Sequence, residues 1–360
     1  MTALAGLTVV DLSRVLGGPY CTQILGDHGA DVLKVEPPQG DETRGWGPPV
    51  TDGASAYFLG VNRNKRGMVL DLKAEAGRAA LLGLLAGADV LVENFKPGTM
   101  EGWGLGDLTT RFPRLVHCRI SGFGGDGPLG GLPGYDAAIQ AATGLMSING
   151  DVAGAPTRLG VPAVDMASGL NAAIGILLAL VERGVSGRGQ FVDITLYDCA
   201  LSILHPHSAN WLSGGAVPGR SGNAHPNIAP YDSFRAGDGT IFLAVGNDGQ
   251  FAKLCALLDL PDVAADPRFA DNRSRVVHRD ALKATLETAL HGLDATTIAA
   301  RLMAGGVPCA PVLDVAAALR HPHTAHRAMI VDGDCPSIAS PIKLGRTPAT
   351  YRLSPPRFGT

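Results

Sequence analysis

Several common signposts of function are missing from this chain. None of its six cysteines, Cys21, Cys118, Cys199, Cys255, Cys309 and Cys335, belongs to a CxxC pair. That removes a disulfide framework and a zinc ribbon, and leaves buried small apolar residues in a reducing compartment as the expectation. Neither sign of charge dominates, with 30 Lys+Arg against 33 Asp+Glu and a net charge of −3. Nothing in that balance recruits nucleic acid or an anionic membrane. The start, MTALAGLTVVDLSR, lacks a basic n-region and turns polar too early for a signal peptide. The apolar run AAIGILLALV is too short to span a bilayer, so a cytoplasmic protein is expected. No GxxxxGK[ST] loop occurs, and the first βα turn carries no GxGxxG. Histidines cluster only at His205–His207 and His321–His326, where prolines break i, i+4 ligand spacing and no carboxylate adjoins. No metal site is expected.

What is present is a long chain with a large apolar share. Its 360 residues, 46% hydrophobic and 18% charged, leave room for two domains. The first half alternates short β-branched runs (LTVVDLS, DVLKVEPP, DVLVENF, LVHCRISGF) with helical patterns (CTQILGDHGA, EAGRAALLGLLAGA). That alternation implies βαβ units and a parallel sheet. Ligands of such sheets bind beyond the carboxyl ends of the strands, here the turns SRVLGGPY, EPPQGDETRGWG, ENFKPGTM and SGFGGDGPLGG. A Gly-, Pro- and Asn-rich stretch, SGGAVPGRSGNAHPNIAP, then reads as a linker. Beyond it a hairpin, YDSFRAGDGTIFLAV, and several helices form a second unit.

One carboxylate stands out. Asp165, in VPAVDMASGLNAAIGILLALVERG, lies between an extended approach and a long apolar helix. Asp is a favoured N-cap, and a plain cap would satisfy orphan helix amides. The same geometry would also hold an ionised nucleophile at the mouth of a pocket. The local sequence leaves both readings open.

Seven segments bear on the choice: VVDLSRVLGGPYCTQILGDHGADVLKVEPP, NRNKRGMVLDLK, DVLVENFKPG, SGFGGDGP, PGYDAAIQAATGLM, VDMASGLNAAIGI and GRGQFVDITLYD, in this order. Together they resemble the class III coenzyme A transferases, the family of formyl-CoA and carnitine CoA-transferases. The resemblance spans essentially the whole chain. GNAHPNIAPYDSF and VGNDGQFAKLCALLDLP look closest to the succinyl-CoA–glutarate type of dicarboxylate transferase.

The resemblance implies a Rossmann-like large domain over 1–205, completed by 326–360, and a small α+β domain over 226–320. Residues 206–225 and 321–330 would be the linkers, and two chains would form an interlocked ring-like homodimer. It implies that Asp165 attacks an acyl-CoA thioester, giving a mixed anhydride and then an aspartyl-CoA thioester, which an acceptor acid resolves. No metal or redox cofactor is needed, since CoA enters as substrate. A helix N-terminus would keep Asp165 ionised. Gly246, Asn247, Asp248 and Gly249 match a glycine-rich segment that closes over the intermediates, and Leu196 matches an apolar neighbour of the nucleophile.

Tyr135 stands where related 2-methylacyl-CoA racemases carry a histidine base. A tyrosine with a pKa near ~10 is a poor proton acceptor at neutral pH, which favours a transferase. Racemase and non-catalytic CoA-binding protein are the alternatives. Val15, Leu16 and Gly17 match the turn whose backbone lies against CoA, and Leu70, Asn94 and Phe95 match positions bordering its adenine and pantetheine. Pro37, Gly102 and Pro133 replace basic residues of formyl-CoA transferase. The CoA phosphates therefore fall to Arg63, Lys65 and Arg66 of NRNKRG, with Lys96 and Arg44 in reserve. His225 and Arg14 are candidates for the far carboxylate of a dicarboxylate acceptor.

Overall fold

The computed structural model describes residues 2–51 and 53–359. Contacts divide these into two units: residues 1–145, 158–208 and 322–360 as one, 146–157 and 209–321 as the other. The stretch 146–157, which the sequence reading places in the large domain, packs with the second unit.

In the first unit, strands β1 (Thr8–Asp11), β2 (Asp31–Glu36), β3 (Lys65–Val69), β4 (Val90–Glu93), β5 (Val116–Ser121) and β6 (Phe191–Thr195) form one sheet. Their spatial order is β3-β2-β1-β4-β5-β6, and every pairing is parallel. The central strands are hydrophobic on both faces, because helices cover both. Val9, Val32 and Val90 point to one core, and their neighbours Val10, Leu33 and Leu91 point to the other. Helix α1 (Gly17–Asp27) covers the first face and α2 (Glu75–Leu85) the second. Three further helices matter for the site: α3 (Asp136–Ala142), α4 (Ala163–Ser186) and α5 (Leu196–Ser202).

Helix α4 is longer than its apolar run suggests. At 24 residues it is long and apolar enough, by length and composition, to cross a bilayer. Its inner face, with Val164, Ala172 and Ile176, is buried against α1 and the sheet. Its outer face exposes Ile174, Leu178, Val181 and Val185. The α1–α4 crossing is close because both helices present glycine. A Cβ on Gly169 would lie 2.6 Å from the Gly17 carbonyl oxygen. The start of α4 is thereby pressed against the turn that follows β1.

A buried ionic network fixes that turn from below. Lys65 Nζ donates to Asp11 Oδ2 (3.0 Å), the Pro19 carbonyl (2.9 Å) and Asn62 Oδ1 (2.8 Å). Lys34 Nζ donates to the Ser13 carbonyl (2.9 Å) and to Asp41 (3.0 Å). All four charged side chains are fully enclosed. Burial alone would raise the Asp11 carboxyl, but Lys65 and then Lys34 hold it below its ordinary value. Burial pushes Lys65 down to about 8.

The second unit contains a hairpin, β7 (Tyr231–Ala236) and β8 (Gly239–Ala244), extended by β9 (Cys309–Pro311), all antiparallel. Helices α6 (Asp248–Leu257), α7 (Arg279–Leu290) and α8 (Ala295–Ala304) close its core around Phe234, Ile241, Leu254, Leu286 and Leu302. Of the cysteines, five are buried as expected, while Cys335 is only partly covered.

Candidate active site

Chain order reverses between β1 and β4, and ligands of open parallel sheets bind at that crevice, beyond the carboxyl ends of the strands. Here that crevice is lined by Val15–Gly18 after β1, Asn94 and Phe95 after β4, Gly122 after β5, Asp165 on α4 and Leu196 on α5. It encloses ≈ 260 Å³. A second cavity of ≈ 400 Å³, lined by Pro37, Leu70, Lys73 and Trp103 among others, shares Arg14, Phe95 and Lys96 with the first. One elongated cleft thus runs from Asp165 past the ends of β1, β4 and β2.

The first turn is held under strain. Val15 has φ +70°, a left-handed conformation that a β-branched residue rarely adopts and that costs roughly 1–3 kcal/mol. Asn94 supports it, accepting from Arg14 N–H (2.9 Å) and donating to the Arg14 carbonyl (2.7 Å). Glu93 in turn accepts from Phe95 N–H (2.8 Å). Val15, Leu16, Gly17, Leu70, Asn94 and Phe95 therefore all line the cleft.

The plain-cap reading of Asp165 fails. Helix α4 begins at Ala163, two residues earlier, and no side chain of its own segment caps it. Asp136 takes the orphan amides instead: its Oδ2 accepts from Val164 N–H (2.8 Å) and Asp165 N–H (3.1 Å). Its Oδ1 accepts from Gln140 Nε2 (2.5 Å), and Gln140 Oε1 accepts from Leu159 N–H (2.9 Å). The Asp165 carboxylate accepts no hydrogen bond from any described residue. It stands half-buried in the cavity wall. Nor does the helix end keep it ionised. Burial, and then the negative charge of Asp136, push its carboxyl up to about 7.

The cations predicted for phosphate are engaged elsewhere. Lys65 lies enclosed in the network under the first turn. Arg63 pairs with Asp27 through two bonds (2.9 and 2.6 Å) and holds the Ile338 carbonyl. Arg66 pairs with Asp31 at the sheet surface. Arg44 binds both oxygens of Glu36 and lies over the Phe58 ring. A basic cluster in sequence says nothing about acidic partners far away along the chain, and those partners removed these charges from the cleft. Arg14, Lys96 and Lys73 remain in it. Arg14 lines both cavities, and its buried Nε has no partner.

Tyr135 lines the first cavity and is 59% exposed; Pro133 lies beside it, Pro37 lines the second cavity, and Gly102 ends a short helix after β4. Sequence reasoning missed Tyr57. Burial first, then the charges of Asp165 and Asp136, push its hydroxyl up to about 12, which places it within electrostatic reach of the nucleophile candidate. Its ring meets Trp46 edge-on at 5.2 Å. An aromatic pair in a Gly/Pro-rich turn beyond β2 was the available signal.

Gly246–Gly249 belongs to the second unit, running from the turn after β8 into the first residues of α6. Asn247 caps α6 by accepting from Gln250 N–H (2.9 Å), and Asp248 pairs with the fully buried Arg275 (2.5 Å). His225 is in that unit too, tilted against Tyr231, with Nδ1 accepting from Asn227 N–H.

The family model for CoA-transferase family III matches residues 4–360, and the chain belongs to that family. It is 38% identical to the succinate–glutarate CoA-transferase of Agrobacterium fabrum, over 99% of this chain and 93% of that one. It is 42% identical to the acetyl-CoA:oxalate CoA-transferase of Acetobacter aceti, over 94% and 88%. Among solved structures, a CaiB/BaiF family protein from Brucella suis superposes with a TM-score of 0.88 at 41% identity, covering 99% of this chain and 96% of that one.

Proposed function

We propose that this CoA-transferase moves coenzyme A from succinyl-CoA, or a similar acyl-CoA, to a dicarboxylic acid, with Asp165 as the nucleophile. The observation that carries this is the uncapped Asp165 carboxylate at the inner end of an elongated cleft beyond the parallel strands. A carboxylate there has no structural duty to its own helix. Its raised basicity makes the ionised form the stronger nucleophile.

The Asp165 carboxylate attacks the thioester carbonyl and CoA leaves as thiolate, forming a mixed anhydride. The thiolate then attacks the aspartyl carbonyl, releasing the donor acid and leaving an aspartyl-CoA thioester. The acceptor carboxylate attacks that thioester and the steps run in reverse, regenerating Asp165. Arg14, Lys73 and Lys96 meet the anionic groups of CoA along the cleft. The succinate–glutarate relative supports the substrate class, and the oxalate relative supports a short dicarboxylate. The exposed apolar outer face of α4 suits cover by a second copy of the chain, in the interlocked homodimer that the resemblance implies; a monomer on sedimentation would remove that part.

Mass spectrometry after incubation with succinyl-CoA and hydroxylamine tests the reading. Modification confined to Asp165 supports it. No adduct from any acyl-CoA, together with deuterium exchange at the α-carbon of a 2-methylacyl-CoA, would replace it with the racemase.

A further inference from the structure

We propose that Asp136 is the positioning residue for Asp165: it occupies the helix amides that Asp165 would otherwise cap, and so frees the Asp165 carboxylate to face the cleft. This rests on the reading of Asp165 as nucleophile.

A helix start leaves several backbone N–H groups without partners, and an Asp in the first turn readily turns back to accept them. Asp165 is the third residue of α4, well placed for this. It does not do so, because the same oxygen of Asp136 already accepts from both Val164 and Asp165. The Asp136 side chain is itself fixed. It is 8% exposed, it sits in the first turn of α3, and its other oxygen holds Gln140. Gln140 extends the clamp to Leu159 N–H, on the approach to α4. One carboxylate thus ties α3, the approach segment and the start of α4 together, 29 residues from the group it serves.

Two consequences follow for the nucleophile. Its main chain is pinned by the N–H bond to Asp136, while on the other side Gly17 packs against its carbonyl, a Cβ there lying 3.3 Å away. Its side chain is left without a hydrogen bond and with a like charge nearby, and that charge disfavours ionisation. The charged and titratable groups around it are Asp136 from α3, Tyr57, and the cleft residues Arg14, Glu42, Lys96 and Tyr135.

The test uses Asp136→Asn, Asp136→Ala and Asp136→Glu in the full-length protein. Two readouts are needed: steady-state exchange, and the pH dependence of Asp165 esterification by a diazo reagent, followed by peptide mass spectrometry. Asp136→Asn removes the charge, so the midpoint of Asp165 labelling moves to lower pH. Asp136→Ala also frees the helix amides, Asp165 turns to cap them, and the midpoint falls further. Its kcat drops roughly ten- to a hundredfold, while KM for the acyl-CoA stays within about twofold. Asp136→Glu restores part of both. Unchanged labelling midpoints in Asp136→Asn and Asp136→Ala would overturn the proposal, as would an equal loss of kcat in all three. If Asp136→Ala does not fold, the Asn and Glu variants still decide it. Labelling needs no turnover. Shifted midpoints in a protein that exchanges no CoA would therefore sustain the role of Asp136 and remove only the transferase mechanism.

Discussion

Replacing Asp165 with Asn should stabilise the folded protein at neutral and alkaline pH. The Asp165 carboxyl is pushed from an ordinary value of 3.8 up to about 7 in the fold. Below pH 3.8 both folded and unfolded chains carry it protonated, and the group does not affect stability. Between 3.8 and 7 the unfolded chain has lost this proton and the folded one keeps it. Stability then falls as pH rises, by about 1.4 kcal/mol for each pH unit. Over that window the loss approaches about 4 kcal/mol, and above it the loss stays constant. The carboxyl is only half-buried, so solvent screening leaves roughly 2 to 3 kcal/mol of it. The amide of the Asp165→Asn variant cannot ionise and avoids the loss. Urea denaturation of both proteins at about pH 4.5 and about pH 8.5 should show the advantage of Asp165→Asn growing by that amount, with exchange abolished. A pH-independent difference would refute the reasoning. An Asp165→Ala variant about 1 kcal/mol less stable at the higher pH is what loss of a helix cap produces, and would return Asp165 to that role.

Three other perturbations separate the parts of the site. Gly169→Ala places a methyl 2.6 Å from the Gly17 carbonyl oxygen and should cost about 1–3 kcal/mol; lifting α4 off the first turn, it should lower kcat in steady-state exchange. Lys65→Met leaves the enclosed Asp11 without its nearest counter-charge. A loss of roughly 3–5 kcal/mol is expected in a denaturant titration, where a surface phosphate-binding lysine would show almost none. Lys96→Ala should weaken CoA binding by about 1 kcal/mol, or roughly fivefold, in calorimetry. That loss should shrink at high salt.

The sequence by itself determined the alternation of strands and helices, because short β-branched runs, helical patterns and the turns between them are local properties. It also singled out Asp165, because a carboxylate at the start of a long apolar helix is unusual on its face, and it placed the turns at Val15–Gly17 and Asn94–Phe95. Tertiary structure decided what the charges do. Arg63, Lys65 and Arg66 look alike in NRNKRG, yet Lys65 is sealed with Asp11, Arg63 is locked to Asp27 and Arg66 is spent on Asp31 at the surface. The free state of Asp165 depends on Asp136, and the raised Tyr57 hydroxyl depends on its burial first and then on both carboxylates. Hydrophobic periodicity is written along the chain. Desolvation and ion pairing depend on which residues the fold brings within a few ångströms, and only the packed chain sets those distances.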